Sequence, residues 1–213
     1  PVDWDTQGAP VLRPRPFARQ QAGAYYTPPD LIDLLLDQAH VGTATRALID
    51  PACGPGAFLI AAARRIPADR LHGIDVDPGA VACARVALAL QVTAAGAPPP
   101  DLTDRIVCAD ALLDAGAWDA LTPPDGFDAI VGNPPWERAK LQQIEWLAAH
   151  EPGFRGLDAG QRKARLAELA AADGPIWRAF AAERRRRAAY ASQLRARYPE
   201  VCGGDANLYA GFA

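Results

Sequence analysis

Apolar residues along this chain alternate between two periods, and the alternation predicts its elements. The first helical pattern starts at Thr27, expected as the cap, with Pro28 or Pro29 in the first turn, and runs to about Ala39. Leu31, Leu34, Leu35 and Gln38 share one face there, so that face is expected to pack on a sheet. Strand and helix then alternate: strand 46–50, helix 56–66, strand 70–75, helix 78–92, strand 105–108 and strand 127–131. A turn-rich segment with three consecutive prolines, Ala95 to Asp104, precedes strand 105–108. This order predicts an α/β, doubly wound parallel sheet.

Beyond Trp136 the period stays helical. Helices are expected over 137–150, 158–172 and 175–198, the last starting at Pro175. Ile176, Phe180, Ala191, Leu194 and Tyr198 form one narrow stripe of that last helix. Arg187 falls inside the stripe, while Arg185 and Arg186 point elsewhere. Two readings stand: a solvated face with one arginine stem lying over apolar neighbours, or arginines that hold the phosphate backbone of a nucleic acid. Residues 1–22 are rich in Pro, Gln and Arg and read as an extended arm.

The chemistry sits where strands end. Leu48-Ile49-Asp50 is followed by Pro51-Ala52-Cys53-Gly54-Pro55-Gly56-Ala57, a turn in which Gly54 and Gly56 let the backbone bend tightly and a ligand come close. No third glycine stands where G-x-G-x-x-G requires it, which argues for a nucleoside with a small charged tail over a dinucleotide. The next strand ends at Asp75, placed to accept from ribose hydroxyls, while Asp77 is expected to cap the helix that begins at Pro78. Asp110, just past the third strand, is a candidate acceptor for a base amino group. Any one of these aspartates reads most simply as a cap or a turn. Three in register with a glycine turn, on the carboxyl edge of a parallel sheet, read as a ligand site.

The fourth strand runs into Asn133-Pro134-Pro135-Trp136. The prolines fix φ and remove two N–H donors, leaving the Pro134 carbonyl and the Asn133 side-chain oxygen as acceptors. Two fixed acceptors suit a planar amine with two N–H bonds, and Trp136 offers a stacking face for the ring that carries it. The exocyclic amine of adenine fits. Its lone pair is delocalised into the ring, and drawing both N–H bonds localises it for attack. By itself the tetrapeptide leaves an ordinary Pro-rich loop open.

Taken together, these motifs resemble an S-adenosylmethionine-dependent DNA adenine-N6 methyltransferase, of the type whose cofactor motifs precede the catalytic motif. Gly23-Ala24-Tyr25-Tyr26-Thr27-Pro28 resembles the family's N-terminal cofactor motif, and Asp50 to Leu59 its glycine motif. Gly73-Ile74-Asp75-Val76-Asp77-Pro78 resembles the ribose motif, Ala109-Asp110 the adenine-side motif, and Asn133 to Trp136 the catalytic motif. Asn207-Leu208-Tyr209-Ala210-Gly211-Phe212 looks like the helix motif that follows. The likeness covers about Ala22 to Ala149 and the last eight or so residues.

The resemblance implies that Tyr26, Thr27 and Pro28 line the methionine end of the cofactor. It assigns Asp50, Ala52, Gly54 and Gly56 to the methionine and sulfonium, Asp75 to the ribose and Asp110 to the adenine, with Phe127 or a neighbour against that adenine. It implies that Asn133, Pro134 and Pro135 form the amine pocket and that Trp136, where the family more often has Tyr or Phe, stacks on a base flipped out of double-stranded DNA. The implied fold is a class I, Rossmann-like methyltransferase sheet, truncated after about four strands. Its parts would be an arm at 1–22, a catalytic core at 23–136, a helical insertion at 137–204 and the start of a core helix at 205–213. The remaining strands and a target-recognition region would then lie downstream. Restriction-modification and phage-defence systems are the implied setting, with other subunits as partners.

Composition narrows the class. The chain has 213 residues, half of them hydrophobic, enough for one α/β domain with a core. No apolar run approaches the ~20 residues a bilayer span needs, and the start lacks a signal-peptide pattern, so a cytoplasmic protein without membrane contact is expected. Cys53, Cys83, Cys108 and Cys202 lie far apart, which argues against zinc, other metals and disulfides. Cys53 and Cys108 read as small core or pocket-lining residues. Net charge is −3, but Arg155, Arg162, Lys163, Arg165, Arg178, Arg184 to Arg187, Arg195 and Arg197 all follow the catalytic motif. Two other functions fit the same residues. One is N5-methylation of a protein glutamine, whose amide is also planar. The other is a non-catalytic module that binds S-adenosylmethionine or DNA in a defence complex.

Overall fold

Leu48, Ile49 and Asp50 are buried on both faces, which is what a central strand of a covered parallel sheet requires. In the computed structural model, which describes residues 2–4, 10–12, 27–136, 139–201 and 208–212, they form β3 (Leu48–Asp50). β3 pairs in parallel with β4 (Leu71–Asp75) on one side and β6 (Ala129–Ile130) on the other, and β5 (Ile106–Cys108) pairs with β4. The sheet order is therefore β5-β4-β3-β6, the expected doubly wound arrangement. The direction of strand addition reverses at β3, which opens a crevice at the carboxyl ends of β3 and β6. A separate antiparallel pair, β1 (Val2–Trp4) and β2 (Pro10–Leu12), lies within the segment expected as an arm.

The strands are shorter than the apolar runs suggest. The Asp128 carboxylate draws the N–H groups of Arg46 (2.6 Å) and Ala47 (3.3 Å), so those residues bond a side chain before the ladder begins. α2 (Ala57–Ala62) also ends early. Arg64 and Arg65 bond back only three residues, tightening the turn ahead of Pro67. α3 (Pro78–Ala94) is capped by Asp77, which accepts from the Gly79 N–H at 2.8 Å, as expected. α4 (Ala115–Leu121) was not foreseen. It is two turns long and capped by Asp114.

α1 (Pro29–Gln38) departs from the pattern in two ways. Pro28 is its N-cap residue and no side chain caps it, so Thr27 does not have the expected capping role. The buried residues are Ile32 and Leu36, while Leu31, Leu34 and Leu35 are exposed. Ile32 and Leu36 join the sheet core, and Arg65 binds Asp37 at 2.5 Å and Asp33 at 3.3 Å on the flank beside them. Phe127 is also displaced from its expected place. Its ring meets His72 edge-on at 5.2 Å and lies 6.4 Å from Trp118, before β6 begins and so away from the carboxyl edge. Cys53 is buried, but Cys83 and Cys108 are exposed, so Cys108 is not a core residue.

Two compact units divide the chain, Pro1–Pro135 and Trp136–Ala213. The second holds α5 (Gln143–His150), α6 (Ala159–Ala172), α7 (Pro175–Arg197) and α8 (Leu208–Phe212). Residues 139–142, expected as helix, precede α5 without helical structure. Asp158 and Gln161 form a capping box on α6. Leu147, Phe154, Leu169 and Phe180 make the unit's core. Along α7, Phe180, Ala191 and Leu194 are buried as the stripe predicts, and Arg187 is half-buried. Its guanidinium and that of Arg186 both bind Glu183, whose carboxyl they hold down at about 2. Arg178 pairs with Asp173, and Arg165 with Glu151 and Glu168.

Candidate functional site

Each parallel strand delivers a polar group at its carboxyl end: Asp50 from β3, Asp75 from β4, Asp110 after β5 and Asn133 after β6. Asp50 is the most deeply placed, at 1% exposure. Its Oδ1 accepts from the Ala52 N–H at 3.1 Å. Burial, and to a lesser degree the charge of Asp75, push its carboxyl up to about 7. The same burial drives the Cys53 thiol well above its ordinary value, which makes it an inert neighbour.

Asp75 does structural work that the sequence did not disclose. Its Oδ2 accepts from the Gly54 N–H at 2.7 Å and its Oδ1 from the Asp77 N–H at 2.9 Å. The carboxylate thus ties the end of β4 to the glycine turn after β3. Gly54 has φ +52°, a left-handed conformation, and a Cβ built there would meet no atom within 4 Å. The backbone at Gly54 therefore borders open space, as close approach of a ligand requires. Gly56, with φ +92°, lies against Ala84 of α3, where a Cβ would come within 3.1 Å. Packing against α3 thus requires glycine at this position. Ala52 is half-buried beside Asp50. The Asp110 Oδ1 accepts from the N–H groups of Leu112 (2.9 Å) and Leu113 (3.2 Å), so this aspartate also shapes a turn.

Gly132, which the sequence reading passed over, joins the two halves of the site. A Cβ on it would stand 2.5 Å from the Asp50 Oδ1. Only glycine brings the loop after β6 so close to the end of β3, and its place directly before Asn133 was the available signal. Asn133 is half-buried, and its Nδ2 donates to the Thr27 Oγ1 at 3.1 Å. Thr27 is itself buried, at 7% exposure. Pro134 and Pro135 are half-buried and Pro28 is exposed. Trp136 opens the second unit, 56% exposed, and its ring stacks on Tyr209 at 4.4 Å and 11°. Tyr26, Asn207 and Cys202 lie outside the described residues.

Asp50, Asp75, Asp110, Thr27 and Asn133 thus come from one compact unit, and Gly54 borders open space beside them. The donor set is anionic and rich in acceptors. It suits a ligand with positive charge, vicinal hydroxyls and amino groups better than one with phosphates, which would need N–H donors or cations. Among the described residues no group of three or more His, Cys, Asp or Glu side chains is arranged to hold a metal, and no helix is long and apolar enough to cross a membrane.

Comparison with known proteins adds an independent finding. The family model described as N-6 DNA methylase matches residues 15–156. A Type II methyltransferase, M.XamI of Xanthomonas campestris pv. amaranthicola, is 28% identical over 136 residues, 64% of this chain and 24% of its own length. A tRNA1(Val) (adenine(37)-N6)-methyltransferase of Porphyromonas gingivalis is 33% identical over 113 residues, 52% of this chain and 41% of its own. The Type II methyltransferase M.CvrRI of Paramecium bursaria Chlorella virus XZ-6E is 25% identical over 118 residues, 55% of this chain and 25% of its own. The chain thus spans about a quarter to two-fifths of these curated relatives. Among solved structures, the cryo-EM structure of a DrdV–DNA complex aligns with a TM-score of 0.45 at 17% identity, covering 85% of this chain and 20% of that one.

Proposed function

Since this chain belongs to the N-6 DNA methylase family, we propose that it is the donor-binding and catalytic part of an S-adenosylmethionine-dependent methyltransferase that acts on adenine N6 in double-stranded DNA. One observation carries the reading: Gly132 lies against the Asp50 carboxylate. The amine-accepting loop and the glycine turn therefore meet at the reversal point of the sheet, where donor and acceptor of a group transfer must be side by side.

In this reading the acidic strand ends hold the donor. Asp50, Ala52 and Gly54 surround its methionine and sulfonium, Asp75 its ribose and Asp110 its adenine, with Tyr26, Thr27 and Pro28 toward the methionine end. S-adenosylmethionine, when bound, supplies an electrophilic methyl group. The chain's own residues do the rest. The Asn133 side-chain oxygen and the Pro134 carbonyl accept the two N–H bonds of the target amine and localise its lone pair. Trp136 stacks on the base, offsetting part of the few kcal/mol needed to flip it from the duplex. No side-chain nucleophile is required, and the methylated amine is acidic enough to lose its proton to water.

DNA is favoured over RNA by two Type II relatives, and a restriction-modification or phage-defence setting rests on the same support. The tRNA methyltransferase relative supports RNA as the second reading. Incubating the full chain with methyl-labelled donor separates these. Mixed-sequence duplex DNA, bulk tRNA and a protein bearing an exposed glutamine are offered together, and the products are resolved by mass spectrometry. N6-methyladenine in the DNA is expected. Label confined to tRNA or to glutamine overturns the DNA assignment, and donor binding without any transfer leaves a binding module.

A further inference from the structure

We infer that Thr27 is a positioning residue for Asn133: its hydroxyl, on a buried residue, is bonded to the side-chain amide and so fixes where that amide stands in the loop after β6. The inference rests on the methyltransferase reading above and deepens it. Thr27 stands before α1 and Asn133 after β6, 106 residues apart, yet their side chains are hydrogen-bonded at 3.1 Å. A threonine hydroxyl at 7% exposure pays a desolvation penalty unless it is paired, so the bond constrains both partners. Thr27 does not cap α1, whose N-terminus has no side-chain cap, so its hydroxyl serves the catalytic loop and not the helix.

The amide of Asn133 has two unlike ends, and only Oδ1 can accept from an amine. In the structure Nδ2 is the end bonded to Thr27, and a side chain tethered there cannot swing out of the loop without breaking that bond. Gly132 braces the same loop from the other side, against Asp50. Thr27 thus tethers the Asn133 side chain, while Gly132 fixes the backbone next to it. Such preorganisation matters because misplacement by an ångström costs on the order of a hundredfold in rate.

The test compares Thr27→Val, which keeps the shape and removes the hydroxyl, with Thr27→Ser, which keeps the hydroxyl. Steady-state methylation, calorimetric affinity for S-adenosylmethionine and thermal melting are measured on the full chain. For Thr27→Val the expectation is a kcat lower by roughly tenfold to a hundredfold. Because Thr27 is also placed toward the methionine end of the donor, donor affinity is expected to fall too, so kcat is read at saturating donor. The KM for DNA should move less than about threefold, and Thr27→Ser should regain most of the rate. If the valine variant melts early, Thr27→Ser against Thr27→Cys carries the same comparison, because a thiol is only a weak hydrogen-bond partner. Unchanged kcat in a folded variant without the hydroxyl overturns the inference. So does a loss of donor affinity with kcat intact at saturating donor, which would leave Thr27 a donor contact alone. Wild-type protein that methylates no adenine removes the underlying reading instead, a result visible before any variant is compared.

Discussion

Asp50 is a carboxylic acid in the interior of a sheet, and its burial governs its ionisation. Burial raises its folded pKa to about 7, above the value an unfolded chain would show. A raised carboxyl favours folding while it stays protonated. That contribution is complete below about pH 4 and is lost as pH rises through 7, on the order of a few kcal/mol. Asp50→Asn keeps an acceptor for the Ala52 N–H and removes the charge. Melting of the variant should show a flatter pH dependence between about pH 4 and 7 and a higher midpoint than wild type at pH 8. Identical profiles for the two proteins would show that Asp50 is not desolvated. A group kept at such expense suits the proposed role, since a cationic donor beside it would recover the charge interaction. Asp75 makes the complementary point. Its carboxylate fixes the glycine turn by accepting from Gly54, so a loss of donor affinity in Asp75→Ala reflects the turn as well as any ribose contact.

At the level of elements, the periods of the sequence identify what forms, and the partners of single side chains decide how each element is turned. The alternation of strand and helix from 46 to 131 emerges as β3, α2, β4, α3, β5 and β6. In the second unit α6 and α7 begin within one residue of where their patterns start, after Asp158 and at Pro175, whereas α5 begins at Gln143, past the start of its pattern. α1 is where pattern and structure separate. Its leucines at 31, 34 and 35 form a tidy stripe, but Arg65 grips Asp33 and Asp37, and the helix presents Ile32 and Leu36 instead. A charge contact 28 residues away in sequence leaves no trace in local periodicity. α4 was missed because its two turns hold one buried residue, Leu121, which is too little for a period to show. The rotation of α1 can be checked directly. Leu36→Ala should cost about 2–5 kcal/mol in urea unfolding and Leu34→Ala within about 0.5 kcal/mol. Equal costs would restore the rotation that the leucine stripe suggests. The site shows the same division. The acidic and glycine strand ends are legible one motif at a time, whereas Thr27 bonded to Asn133 and Gly132 against Asp50 are contacts between segments and require the fold.

Across the whole molecule, charge is divided as structure is. The first unit has nine Lys and Arg against sixteen Asp and Glu, a net −7, and the second has thirteen against nine, a net +4, together the −3 of the chain. An anionic unit suits a cationic cofactor, and a cationic helical unit suits a phosphate backbone. Several of its arginines are nevertheless paired internally, as Glu183 holds Arg186 and Arg187. The four parallel strands lie in the order β5-β4-β3-β6, and the family match covers the same region. In the proposed function, an amide and a carbonyl after β6 activate an adenine amine beside a bound methyl donor. The most direct test is nucleoside mass spectrometry, with sequencing of the modified sites, on DNA from cells that carry either the complete gene or its Asn133→Ala variant. The account predicts N6-methyladenine in a defined sequence context with the wild-type gene and none with the variant, whose purified protein still binds S-adenosylmethionine. N6-methyladenine at undiminished levels in the variant, or its absence from both, would contradict it.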